Sequence, residues 1–215
     1  MGQQYLPAAR SDFIGIENII HLATGGEPPL LARHRDAFEK FAQDKAAGMS
    51  GYARHWELVE GVRNKAAGFF NLNVGDIGLI GNASEGIVKV LSSIDWHEGD
   101  NVVISELDYT SGRYALGNLK RLGVEVRMVP KTGWYIDTDD LKNACDDKTR
   151  VLYISQVNAT TGQFIDISNL SEHLKSSKVA LILDASHALG IVPVQGHLAD
   201  FTVSSVSYTH LTLPT

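Results

Sequence analysis

Apolar residues return every three or four positions in "PPLLARHRDAFEKFAQDKAAG" and again in "YARHWELVEGVRNKAAGFFN", the spacing that gathers them on one face of an α-helix. From residue 77 the pattern changes. Short β-branched runs alternate with amphipathic stretches, as in parallel strands joined by helices. The runs "IGLIG", "NVVISE", "EVRMVP", "RVLYISQV", "VALILDA" and "DFTVSS" are predicted strands. Helices are predicted between them, near Ser84 to Ile94, Ser111 to Leu122, Thr138 to Cys145 and Ser168 to Ser176. "VALILDA" is apolar almost throughout, as a strand covered on both faces requires. The pattern predicts a three-layer α/β domain whose mostly parallel sheet carries helices on both faces. No internal repeat, low-complexity tract or linker interrupts it.

Composition narrows the function classes. A chain of 215 residues with 44% hydrophobic and 20% charged residues has the balance of a soluble globular protein. Its net charge of −6 comes from interspersed acids and bases, with no basic run to displace counterions from a nucleic-acid backbone. Nucleic acid is therefore not an expected partner. No apolar run approaches the roughly 20 residues needed to cross a bilayer, and "MGQQYLPAARSDFIGIENII" lacks the pattern of a signal peptide. The expected compartment is the cytoplasm. Cys145 is the single cysteine, so the chain offers no internal disulfide and no paired-cysteine metal site. Its setting, "LKNACDDKT", reads as the end of a surface helix and an unreactive thiol.

In such sheets ligands lie beyond the carboxyl ends of the strands, so the residues after each strand are the candidates. After "IGLIG" comes "NASEGIVKVL", where Ala83 and Ser84 would present backbone N–H groups at a helix N-terminus, a ready phosphate site. The plainer role is that Asn82 or Ser84 caps the helix. After "NVVISE" comes "LDYTSGRY", in which Tyr109 offers a flat face to a planar ring or simply lines the rim. After "RVLYISQV", Asn158 of "NATTG" could address a ring oxygen through its amide, or serve as a turn residue before Gly162. After "VALILD", Asp184 ends the most apolar strand, where an unpaired carboxylate is costly and a cationic partner is expected. His187, three residues on, faces the same opening or is a hydrogen-bonded core residue.

One ligand meets all four strand ends: pyridoxal 5'-phosphate (PLP). Its phosphate suits a helix N-terminus, its ring a stacking partner, its phenolic oxygen an amide and its pyridine nitrogen a carboxylate. A carboxylate in an apolar surround keeps that nitrogen protonated, which makes the ring an electron sink.

The motifs "GNASEGI", "ELDYTSGRY", "ISQVNATTG" and "LILDASHALG", followed by "ADFTVSS", resemble in order and spacing the class V aminotransferase family of fold-type I PLP-dependent enzymes. That family includes cysteine desulfurases, selenocysteine lyases, kynureninases and isopenicillin N epimerases. The resemblance runs from about "IIHLATGGEPPL" to Ser204. It implies the large domain of the PLP-dependent transferase fold, an amino-acid substrate and a homodimer at full length. By position it implies that Ala83 and Ser84 bind the phosphate, Tyr109 stacks on the ring and Asn158 contacts the phenolic oxygen. Asp184 would pair with the ring nitrogen, and His187 would lie close by as the candidate catalytic side chain. "DASHALG" and "DYTS" resemble kynureninase-like and epimerase-like members more than desulfurases, which usually carry Gln at the place of His187.

The family's Schiff-base lysine follows a strand like "DFTVSS", yet this chain has no lysine after Lys178. "VSYTHLTLPT" instead resembles the translation of a transposase adapter used in preparing sequencing libraries. Residues 206–215 are thus expected to be read-through, outside the fold. The expected organisation is a helical segment over residues 1–75 packing on a large domain over 76–205, with the C-terminal small domain missing. That small domain would also carry the family's arginine for the substrate carboxylate. Such a chain is expected to be inactive by itself and prone to aggregate through the surface left open.

Two other readings are carried forward. "GLIGNASEG" after a strand, with Glu106 ending the next, would suit a nicotinamide-binding oxidoreductase domain, although Gly78, Gly81 and Gly86 depart from the usual spacing. A non-catalytic binding module of the same fold is the third.

Overall fold

The computed structural model describes residues 9–22 and 28–205; the predicted read-through at 206–215 lies outside the described residues. The chain divides into two compact units, one up to residue 65 and one from residue 66.

The first unit is built on α1 (Ala32–Ala46) and the start of α2 (Met49–Phe70). Gly48, at φ +63°, makes the tight reversal between them. Asp44 of α1 is buried and accepts from Arg54 Nε at 2.6 Å and Lys40 Nζ at 3.4 Å, an ionic clasp across the hairpin. The rings of Phe41 and His55 stack with centroids 4.9 Å apart. Phe38, Phe41, Met49, Tyr52 and Trp56 are exposed.

The second unit carries α3 (Ala83–Ser92), β1 (Asn101–Ser105), α4 (Thr110–Gly117), β2 (Glu125–Val129), α5 (Thr138–Asn143), β3 (Thr149–Ser155), α6 (Ser168–Leu174), β4 (Ala180–Asp184) and β5 (Phe201–Val203). The five strands form one parallel sheet in the order β2-β1-β3-β4-β5. Side chains alternate across it. Val102, Ile104, Val151, Tyr153, Ile182 and Val203 share a core with Ile87 and Leu91 of α3 and Leu116 of α4. The intervening Val103, Leu152, Ile154, Leu181 and Leu183 are equally buried, on the face where α5 packs on β1 and α6 on β4. Full burial on both faces explains why β1, β3 and β4 are so uniformly apolar. Among the described residues no helix is long and apolar enough to cross a membrane.

Five of the six predicted strands form. "IGLIG" does not: residues 77–81 carry no strand assignment, and Leu79 and Ile80 lie exposed. An apolar run becomes a strand only when a neighbour takes up its backbone groups, and the described residues pair none with it. The predicted helix Ser111–Leu122 also divides. Its α-helical part ends at Gly117 and a 3₁₀ turn, Asn118–Leu122, leads to Gly123 in the left-handed conformation at φ +76°.

Candidate functional site

The carboxyl ends of the strands are tied together by side chains. Asp184 closes β4, is 4% exposed, and has neutral donors on both oxygens: Tyr153 O–H donates to Oδ2 at 2.7 Å and Ser186 N–H to Oδ1 at 2.9 Å. Among the described residues no ion pair reaches Asp184; within the chain a phenol from β3 holds it. Hydrogen bonds of this kind offset part of the cost of burying a carboxylate.

A second buried carboxylate, not singled out from the sequence, stands close by. Asp108, after β1, accepts from Ser155 N–H at 2.7 Å and Ser105 N–H at 3.0 Å. Burial pushes its carboxyl up to about 7; the bonds from Ser155 and Ser105 oppose this and the charge of Asp184 adds to it. Tyr153, fully buried, has its phenol raised well above the usual range, by burial first and then by the charges of Asp184 and Asp108. It is therefore a proton donor, never a phenolate, at ordinary pH.

Asn158 follows β3. Its Oδ1 accepts from Thr160 N–H and Thr161 N–H, both at 2.9 Å, which is the turn role. Its Nδ2 donates to the carbonyl of Leu107, so the turn is fastened to the loop that carries Tyr109. An amide NH₂ has two protons; Leu107 takes one, and the other can serve a ring oxygen. Tyr109 is 40% exposed, and its ring lies 5.8 Å from that of His187, tilted by 54°. The structure thus brings Tyr109 and His187 together across two loops.

Ala83 and Ser84 form the first turn of α3. Asn82 is the N-cap, its side chain accepting from Glu85 N–H at 2.9 Å. The capping role therefore falls to Asn82, not Ser84, and the helix itself supplies no partner for the N–H groups of Ala83 and Ser84. A Cβ on Gly86 would lie 3.1 Å from Val203, so this turn of α3 packs against the end of β5. Ser204, just beyond, has its hydroxyl buried with no hydrogen-bond partner among the described residues. An orphan hydroxyl beside a helix N-terminus suits an anion.

Sequence reading missed Tyr153, Asp108 and Ser204. Tyr153 had one signal, being the single polar-tipped aromatic in the apolar run "RVLYIS".

Comparisons with known proteins give the family and the fold. The family model for aminotransferase class V matches residues 27–206, and the chain belongs to that family. A probable cysteine desulfurase of Methanothermobacter thermautotrophicus is 24% identical over 77% of this chain and 42% of its own length. Histidinol-phosphate aminotransferase 1 of Bacillus cereus is 28% identical over 79% of this chain and 44% of its own. The chain spans about half the length of the curated relatives it matches. Among solved structures, a C-DES mutant with glycine covalently linked to the PLP cofactor superposes with TM-score 0.82 and 19% identity, over 94% of this chain and 56% of that one. The cysteine desulfurase CsdA of Escherichia coli gives 0.76 and 16%, over 93% and 53%. The fold is therefore that of the PLP-dependent transferases.

Proposed function

We propose that the chain is the cofactor-binding part of a PLP-dependent enzyme acting on an amino acid or related amine, with lyase, transaminase or epimerase chemistry. The observation that carries this is Asp184, a buried carboxylate at a strand end whose two partners in the chain are both neutral. When bound, PLP supplies an electron sink for bonds breaking at the substrate's α-carbon. The chain's own residues do the rest. Asp184 would hold a proton at the ring nitrogen, Asn158 would offer its second amide proton to the ring oxygen, and Tyr109 and His187 would line the ring. The first turn of α3 at Ala83 and Ser84, with the Ser204 hydroxyl, receives the phosphate. The family resemblance supports assembly as a homodimer at full length.

Titration of the chain with PLP, followed by absorbance and by quenching of Trp fluorescence, tests the reading. Saturable binding of PLP but not of NAD is expected. Binding of NAD in preference to PLP, or of neither, would overturn it.

A further inference from the structure

We propose that Tyr153 is a positioning residue that keeps Asp184 ionised, so that a proton shared with a ring nitrogen stays on the nitrogen. This deepens the cofactor reading above and rests on it.

The geometry is specific. In the β3–β4 register Tyr153 pairs with Ile182, so Asp184 lies two residues on and on the same face of the sheet. The phenol bridges that diagonal at 2.7 Å. α4 leaves room for it through Gly112. A Cβ there would stand 2.6 Å from Cε1 and Cζ of Tyr153 and 2.8 Å from its hydroxyl oxygen.

Packing alone does not call for a tyrosine here. Phenylalanine would fill nearly the same space in a face otherwise made of Val, Ile and Leu. The hydroxyl has an electrostatic task. Burying a carboxylate disfavours its charge, and Asp184 is buried with a second buried carboxylate, Asp108, close by. Opposing this are the donors at Asp184, Ser186 N–H and Tyr153 O–H. Removing the phenol removes one of these and raises the carboxylate's affinity for a proton. The shared proton then moves from the ring nitrogen toward Asp184, and the ring loses its pyridinium character.

The test uses the whole chain loaded with pyridoxamine 5'-phosphate carrying ¹⁵N in the ring, which needs no lysine. The ring ¹⁵N shift is followed against pH in the wild type, Tyr153→Phe, Asp184→Asn and the double variant. The wild type is expected to show a protonated nitrogen through neutral pH. Tyr153→Phe is expected to move the signal toward the unprotonated range and to weaken binding about tenfold, as for a hydrogen bond to a charged group. In the Asp184→Asn background the further change to Phe should move nothing. A wild-type ring signal in Tyr153→Phe overturns the proposal and leaves the cofactor reading standing. An Asp184→Asn signal equal to wild type overturns the cofactor reading and the proposal with it. Should Tyr153→Phe fail to fold, 3-fluorotyrosine at position 153 keeps the shape with a stronger donor. It is expected to raise the pH at which the ring nitrogen loses its proton, and an unchanged midpoint overturns the proposal.

Discussion

The carboxylate of Asp108 accepts the backbone N–H of Ser155 at 2.7 Å, joining the loop after β1 to the last residue of β3 across 47 positions of sequence. Its other oxygen takes the N–H of Ser105 at 3.0 Å. One buried acid thus fixes the strand ends between which Tyr109 and Asn158 are presented.

Asp108 should make stability pH-dependent. Its folded pKa is about 7 against 3.8 for the ordinary group, with burial as the main cause. A raised folded value means the native state binds the proton more tightly. The stabilising contribution is complete below the unfolded value and is lost as pH rises to about 7. The melting temperature is expected to fall between mildly acidic and neutral pH. In Asp108→Asn that slope should flatten, although the variant melts lower throughout because an amide cannot accept both backbone N–H groups. An unchanged slope in the variant would exclude Asp108 as its source.

Tyr109 and His187 should act on the cofactor as a pair. Aromatic contacts of this kind contribute about 0.5–1.5 kcal/mol, so Tyr109→Ala is expected to weaken PLP binding up to about tenfold. Tyr109→Phe should keep most of the affinity. Fluorescence titration separates the two, and equal losses in both would assign the contribution to the hydroxyl.

Two glycines on α2 should respond in opposite directions. A Cβ at Gly51 would stand 1.6 Å from the carbonyl oxygen of Asp44, whereas at Gly61 it meets open space. Gly51→Ala is expected to lose about 3 kcal/mol or more, since backbone has to move. Gly61→Ala should gain about 0.5–1 kcal/mol from helix propensity. Urea unfolding followed by circular dichroism reads both.

Cys145 should be inert. Burial pushes its thiol up to about 11, the charge of Asp146 adds to this and Arg127 opposes it. Alkylation by iodoacetamide at neutral pH is expected only after unfolding. Rapid labelling of the folded chain would show that the thiol is open to solvent.

Much of this architecture was legible in the sequence because burial on both faces leaves a plain signature. Runs such as "VALILD" have few other uses, and β4 forms where that run predicts it. "IGLIG" has the same composition without a partner strand, which no local pattern reveals. Tyr109, Asn158, Asp184 and His187 stand out in the sequence because they follow strands, and the structure brings the rings of Tyr109 and His187 together. What holds them was hidden. Tyr153 and Asp184 are 31 residues apart, and only the β3–β4 register brings the phenol to the carboxylate. Asp108 sits inside the quoted "ELDY" but gains its role only by reaching Ser155. Asn158 takes the turn role through Oδ1, and its Nδ2 fastens that turn to Leu107.

The central claim is that Asp184 faces the pyridine nitrogen of a bound cofactor. A crystal structure of the chain soaked with PLP tests it most directly. The account predicts the ring nitrogen within hydrogen-bond distance of an Asp184 oxygen, with the phosphate at the first turn of α3. A ring bound elsewhere, with Asp184 touching only Tyr153 and Ser186, would contradict it.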